Sequence, residues 1–449
     1  MNHFEPNRRE FLAHGAKAAA GIAAATVATI ARPVLGANDR VNIAVLGIRS
    51  RGKEHYRDWV KIPGVQVHTL CDPDENLFDA AVAEVEKLQG KKPRTEYDLR
   101  RVFDDHDIDA VSIATPDHWH ALASIWACQA GKHVYVEKPV SHTIWEGRKI
   151  VEAARRYNRV VSAGMQNRSI AGVREAIRFL HEGKLGRIYM AKGICFKPRD
   201  SIGRKSDAPV PPGVHYDLWL GPAPFRPFNP NRFHYNWHWF WDYGCSDMGN
   251  QGPHQMDIAR WGMNRQVHPK KIHCAGGYFA FDSDQETPNT QIATFEYEDG
   301  AIIQFEVRGL YTNSEDGIII GNLFFGSLGW MRLDGNEWKT FFGRKNEPGP
   351  FYSNDKEKSA DPMNLSGTAS GNHFENFIEA VRANDPMHLT ADIAEGHLST
   401  AMCHLGNISN RLGRQLVFDS NAERFEGDDI ADTYLTRDYR YPYVVPEKV

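Results

Sequence analysis

Apolar residues recur in two rhythms along this chain. From residue 38 to about 167, short apolar runs alternate with stretches of helical spacing. The runs at 41–46, 65–71, 108–114, 134–136 and 160–164 predict strands, and 53–61, 77–89, 121–130 and 145–157 predict helices between them. Strands separated by single helices call for a parallel, doubly wound sheet with right-handed crossovers. Ligands bind beyond the carboxyl ends of the strands in such a sheet. The run at 134–136 ends there in Glu137-Lys138-Pro139, where the proline keeps Lys138 extended.

A helix over 172–182 and a strand over 186–193 open the second half. Eight prolines then fall between Pro198 and Pro230, too many for a regular element and typical of a functional loop. From Lys271 to about Thr340 the period changes to two, and 294–307 reads as a hairpin turning at Glu298-Asp299-Gly300. Two helices follow, over 372–383 and 392–412. The expected fold class is α/β: a doubly wound parallel sheet, then an α+β domain with a large, mainly antiparallel open sheet.

A chain of 449 residues has room for more than one domain, and 41% hydrophobic with 24% charged residues is ordinary for a globular protein. The formal charge is −4, and no basic block of nucleic-acid-binding size is present, so a phosphate-backbone partner is not expected. The six cysteines are scattered without a Cys-x-x-Cys, against a zinc ribbon or a disulfide scaffold. Asn7-Arg8-Arg9-Glu10-Phe11-Leu12 and the alanine-rich run after it are similar to a twin-arginine export signal. That run is too short and too weakly apolar to span a membrane, so a periplasmic or otherwise exported protein with no integral span is expected.

The first strand runs into Gly47-Ile48-Arg49-Ser50-Arg51-Gly52, a Gly-x-Gly-x-x-Gly pattern with arginine as its second glycine. Asp72 closes the second strand twenty residues after Gly52, where a carboxylate bonds a ribose hydroxyl and repels a 2′-phosphate. NAD is favoured, and Arg49 and Arg51 keep NADP open. Thr115-Pro116-Asp117-His118-Trp119-His120 follows the strand at 108–114. His118 and His120, two apart, would not share a helix face, and no third ligand lies nearby, so no metal is expected. The aromatic run 233–243 reads partly as interface packing and partly as a platform for the C–H face of a sugar. Pro253 marks a helix entry that puts His254 and Asp257 on one face, with Asp247 and Asn250 just upstream.

Taken together, the glycine pattern, Glu137-Lys138-Pro139 and the Asp/His cluster resemble the Gfo/Idh/MocA family, the glucose-fructose oxidoreductase and inositol dehydrogenase group, over nearly all of the chain after residue 37. The resemblance implies a Rossmann-type NAD-binding domain over 38–167 after a signal peptide over 1–37. It implies a substrate-binding and oligomerisation domain over 168–370, helices over 371–412 that return to the first domain, and a C-terminal arm over 413–449. Cofactor contacts are expected from Gly47, Ile48, Arg49, Arg51, Gly52, Asp72, Thr115, Pro116, His118, His120, Glu137, Lys138 and Gln166. Substrate contacts are expected from Arg168, Trp241, Tyr243 and Asp257, and catalysis from Lys138 and His254. Relatives carry Asp-x-x-x-His-x-x-Asp; here Asn250 stands four before His254 and Asp247 seven before, so either would orient the pair. A homodimer or homotetramer built on the outer sheet face is implied, with the tyrosine-rich tail as an arm onto a neighbour.

The implied reaction moves a hydride between NAD and a hydroxyl-bearing carbon of a sugar, glycoside or cyclitol. An exported enzyme of this kind is expected to keep its cofactor bound. The alternatives are an NAD-dependent glycosidase acting by transient oxidation and elimination, and an NAD- or sugar-binding protein without chemistry. The glycosidase route needs a further base and acid, for which His234, His238 and Tyr243 are the nearest candidates by sequence; glycosidase relatives carry a histidine close to the position of Met248, which is absent here, and this ranks the oxidoreductase first.

Overall fold

The computed structural model describes residues 40–335, 337–353 and 366–449; the segment 1–37 expected to be an export signal lies outside them. Six parallel strands form the first sheet in the order β3-β2-β1-β4-β5-β6: β1 Val41–Leu46, β2 Val65–Cys71, β3 Arg94–Glu96, β4 Ala110–Ile113, β5 His133–Val136 and β6 Val161–Ala163. The central strands β1, β4 and β5 are mostly apolar because both of their faces are covered. On one face α1 (Arg51–Trp59) and α2 (Phe78–Gln89) pack with Tyr135, and α3 (Leu99–Asp104), α4 (Asp117–Gln129) and α5 (Ile144–Arg156) cover the other. β3 escaped the sequence reading because it is a short polar edge strand with Arg94 and Thr95 exposed.

A second, ten-stranded sheet has the order β14-β13-β12-β11-β7-β10-β9-β8-β15-β16. In chain order these are β7 Ile188–Cys195, β8 Lys271–Gly277, β9 Thr290–Glu296, β10 Ile302–Arg308, β11 Ile320–Gly326, β12 Gly329–Asp334, β13 Glu337–Phe342, β14 Glu347–Tyr352, β15 Leu416–Asp419 and β16 Arg424–Phe425. The sheet is mainly antiparallel, with β7 and β10 its one parallel pair among the described strands. Phe295, Phe305 and Phe324 are buried on its inner face. Over them lie α6 (Ala171–His181), the helix that follows the short α7 (Tyr216–Leu220) and α8 (Ser246–Asn250), namely α9 (Gly252–Gly262), and the later α11 (Ile393–Leu412).

The last helices tie this sheet to the nucleotide half. In α10 (Ser366–Ala383), Phe374 and Phe377 are buried against Trp59 and Tyr135. Helix α11 puts Met402, Leu405 and Ile408 into the second core, while its Thr400 Oγ1 accepts from Val140 N (3.2 Å). Its His397 Nε2 and His268 Nε2 both bond Glu423 Oε1 (2.8 and 2.7 Å), and Arg148 of α5 forks both carboxylate oxygens (2.7 and 2.9 Å). Four donors on one carboxylate lock the β15–β16 turn to both halves, and they hold the Glu423 pKa far below its ordinary value although burial alone would raise it.

The tyrosine-rich tail departs from expectation. Tyr443, Val445 and Val449 pack into the core of the chain's own nucleotide half, beside Trp119 and Trp126. The apolar rings have a surface at home to bury against, so the tail is not an arm held out to a neighbour; Tyr441 alone of its four tyrosines is largely exposed.

Candidate active site

Beyond the carboxyl edges of β1, β2, β4 and β5, a cavity of about 350 Å³ opens between the two halves of the chain. Its floor begins at Gly47, whose φ is +80° and where a Cβ would stand 2.7 Å from the Ala114 carbonyl oxygen. Gly52 is tighter still: a Cβ would overlap the Gly47 oxygen at 1.8 Å. Both glycines of the degenerate pattern are therefore fixed by backbone crowding. The replaced position, Arg49, is exposed and its side chain lines the cavity. Ile48 is buried and contributes its N–H, which donates to Asp72 Oδ2 (3.0 Å); Asp74 N donates to Oδ1 (3.0 Å). Burial raises the Asp72 pKa to about 6 against the pull of those two N–H groups.

Glu137 anchors the next turn. Its Oε1 accepts from Arg51 Nε (2.9 Å) and Gln166 Nε2 (2.8 Å), and His55 Nε2 lies at 2.9 Å. Lys138 then projects into the cavity, where its Nζ donates to the Asn250 carbonyl (2.6 Å) and to Asn250 Oδ1 (3.2 Å). Asn250 Nδ2 is bonded in turn by Asp247 (3.3 Å), which grips Arg199 with both oxygens (2.7 and 2.9 Å). Asn250 thus touches Lys138, and Asp247 stands behind it. His254, in the first turn of α9, lines the same cavity with Nδ1 buried and unpartnered among the described residues. Burial, then the charge of Lys138, lowers its pKa to about 3, so the imidazole is neutral and able to accept a proton.

Thr115, Pro116 and His120 also line the cavity. The helix expected from 121 starts at Asp117, so both histidines lie inside α4 and serve as loop ties. His120 bridges the Pro139 and Thr115 carbonyls (2.6 and 2.8 Å), while His118 bonds the Trp219 carbonyl (2.9 Å) and lies outside the cavity lining.

The four residues expected to meet substrate lie elsewhere. Arg168 forks Asp257 (2.7 and 2.9 Å) and bonds Glu395 (2.8 Å) in a buried network under α11, where charge pairing rather than a ligand satisfies it. Tyr243 is fully buried between His118 and Trp219, and Trp241 lies beneath the Arg411 guanidinium, 4.9 Å from its ring centre. The aromatic run divides instead after His238. Phe233, His234, Tyr235, Trp237 and His238 line the cavity, while Trp239, Phe240 and Tyr243 sit in a buried cluster that Phe233 shares and Trp237 packs against.

Two further lining residues, Asp117 and Lys197, were not singled out from the sequence, and His238, a candidate acid or base there, lines the cavity with them. Asp117, the first residue of α4, is buried with Oδ2 unpartnered among the described residues. Burial raises its pKa against the opposing charge of Lys138. Lys197 donates to Gln251 Oε1 (3.1 Å), and His238 faces Lys138 and Arg199, its pKa lowered to about 3, chiefly by burial. Asp117 sits within the Thr-Pro segment at the edge of a strand, a position that could have flagged it.

Residues 41–165 match the model of the Gfo/Idh/MocA oxidoreductase family's NAD-binding Rossmann fold, and residues 199–322 and 365–445 match that of its C-terminal alpha/beta domain. The chain belongs to the Gfo/Idh/MocA family. A glycosyl hydrolase family 109 protein of Shewanella baltica (strain OS185) is 32% identical over 170 residues. That match spans only about a third of each protein, 33% of this chain and 37% of the relative. Among solved structures, the WlbA dehydrogenase of Chromobacterium violaceum with NADH and UDP-GlcNAcA superposes with a TM-score of 0.62 at 21% identity, covering 85% of this chain and 96% of that one. A levoglucosan dehydrogenase with NADH and levoglucosan gives 0.63 at 18%, covering 84% and 99%. At these identities the two structures speak for the shared fold.

The nucleotide half is thus an NAD-binding Rossmann domain, and its residues fit the cofactor. Gly47 and Gly52 bring the backbone close at the start of α1, where helix N–H groups favour a pyrophosphate, and Asp72 stands at the end of β2 for a ribose. Arg51 Nη2 and Thr115 Oγ1 are buried at the cavity without partners among the described residues, groups that a ligand would satisfy.

Proposed function

We propose that this protein transfers a hydride between NAD and a hydroxyl-bearing carbon of a sugar, glycoside or cyclitol, and that it works outside the cytoplasm with its cofactor retained. The observation that carries the reading is the Lys138 ammonium, held by Asn250 at the strand edge, sharing one cavity with a neutral His254. NAD, when bound, accepts or returns the hydride. Lys138 donates to the substrate hydroxyl oxygen and stabilises the negative charge that develops there. His254 takes the hydroxyl proton during oxidation and gives it back during reduction. Asn250 fixes the lysine, and the Asp247–Arg199 pair fixes Asn250. The rings of Tyr235 and Trp237 offer apolar faces to a pyranose. Lys138→Ala is expected to lose most turnover on a sugar panel, followed as nicotinamide absorbance, while NAD still binds; turnover at the wild-type level would end the assignment.

A second reading is a redox-neutral glycosidase, favoured by the similarity to glycosyl hydrolase family 109. It needs an acid and a base beyond Lys138 and His254, and Asp117, His234 and His238 line the cavity and could supply them. Incubation with aryl glycosides and no added NAD separates the two. Phenol release, with solvent deuterium at C2 of the sugar, would select the glycosidase. For location, changing Arg8-Arg9 to Lys-Lys is expected to strand the protein in the cytoplasm, and normal export of that variant would contradict the proposal.

A further inference from the structure

We propose that residues 211–215, together with His234, form a clamp over the adenosine end of the cleft that keeps NAD bound from one turnover to the next; the proposal rests on the NAD-binding assignment above. The proline-rich loop leaves the second half and pairs with the backbone just after β2. Glu75 N donates to Gly213 O (2.9 Å), His215 N donates to Pro73 O (2.8 Å), and Asp74 bridges Val214 as in an antiparallel sheet. Side chains double the link: Asn76 Nδ2 donates to Pro212 O (2.9 Å), and His215 Nε2 lies 2.5 Å from Glu75 Oε1. The His215 ring also stacks on Tyr97 at 4.0 Å and 12°.

These contacts surround the place where the ribose of a dinucleotide meets Asp72. Tyr97, Arg49 and His234 line the cavity there. His234 holds a left-handed backbone (φ +62°), unusual for a residue with a side chain, and places Nε2 3.0 Å from Asp74 Oδ2. A strained residue that reaches across to a binding cleft marks a built contact rather than a slack loop. Pro211 and Pro212 narrow the conformations open to the detached segment, which lowers the entropy cost of docking it. For the nucleotide to leave past its adenosine end, the segment must first come away from β2.

The test uses holoenzyme loaded with radiolabelled NAD, chased with unlabelled NAD, in the wild type, His215→Ala and His234→Ala. His215 is outside the cavity lining, so its variant loosens the clamp without touching the cleft. The wild type is expected to retain label through gel filtration. Each variant is expected to release it about tenfold faster or more, the rate change that matches the loss of one hydrogen bond to a charged group. The melting transition of each variant reports whether it has folded, and His234→Ala stands in where His215→Ala has not. Label that exchanges at the wild-type rate in a folded variant overturns the clamp and leaves the cofactor assignment intact. A wild type that carries no NAD when purified and takes up no label overturns both.

Discussion

Asp257→Asn removes one charge from a buried network while keeping its shape. Arg168 gives Asp257 two hydrogen bonds, Ser399 gives it a third (2.8 Å), and Arg260 lies 3.8 Å away. The Arg168 and Asp257 side chains expose 8% and 1% of their surface, so water cannot take over the lost partner's role. With Glu395 the network holds two arginines and two carboxylates; the substitution leaves it one positive charge in excess. Breaking a buried pair from one side costs about 3–5 kcal/mol. Glu395 remains on Arg168 and the amide oxygen can still accept one bond, which puts the expected loss near the lower end, about 3 kcal/mol. Urea denaturation measures it, with NAD binding unchanged below the transition. The pH dependence has a definite sign. Burial pushes the Asp257 pKa up, the charge and hydrogen bonds of Arg168 outweigh that, and the net shift is downward. The pair's stabilisation is then complete above the unfolded carboxylate value, about pH 4, and is lost as pH falls through the lowered folded value. The gap between wild type and variant should close below about pH 4. A variant of wild-type stability with impaired turnover would refute this account and return Asp257 to the substrate.

Gly47→Ala should weaken NAD binding and cost about 1–2 kcal/mol in a thermal or urea scan, since an L-residue there meets both the left-handed φ and the Ala114 oxygen; a silent substitution would remove the crowding argument. Because burial keeps His254 neutral to about pH 3, its protonation should contribute no acid limb near pH 6.5 to the kcat/KM profile; a limb there that His254→Asn abolishes would contradict this. In Asp117→Asn the carboxylate that raises the Lys138 pKa is gone, so the alkaline loss of kcat should begin at lower pH; an unmoved profile would detach Asp117 from Lys138.

What could be read from sequence was whatever is fixed locally. β1 and β2 were delimited to the residue because a buried strand shows as an apolar run closed by a glycine or an acid. The start of α4 was missed by four residues, since Thr-Pro reads as loop when only its chain neighbours are in view. Gly47, Asp72 and Lys138 lie at the cavity because strand edges put them there. Arg168 and Asp257 looked equally chemical, but Arg168 also pairs with Glu395, 227 residues further on, and nothing local says which side of a helix meets ligand and which meets another charge. The aromatic run posed the same problem: its composition suggests both packing and stacking, and only the fold divides Trp237 from Trp239.

Tyr443, Val445 and Val449 fill the nucleotide half's own core, whose first strand starts at Val41. On a ribosome, residues 41–163 therefore emerge with a hydrophobic face that their eventual neighbours cannot cover until some three hundred further residues have been made. The patch beside Trp119 and Trp126 therefore closes on contacts made from the far end of the chain, not from the sheet's own crossovers.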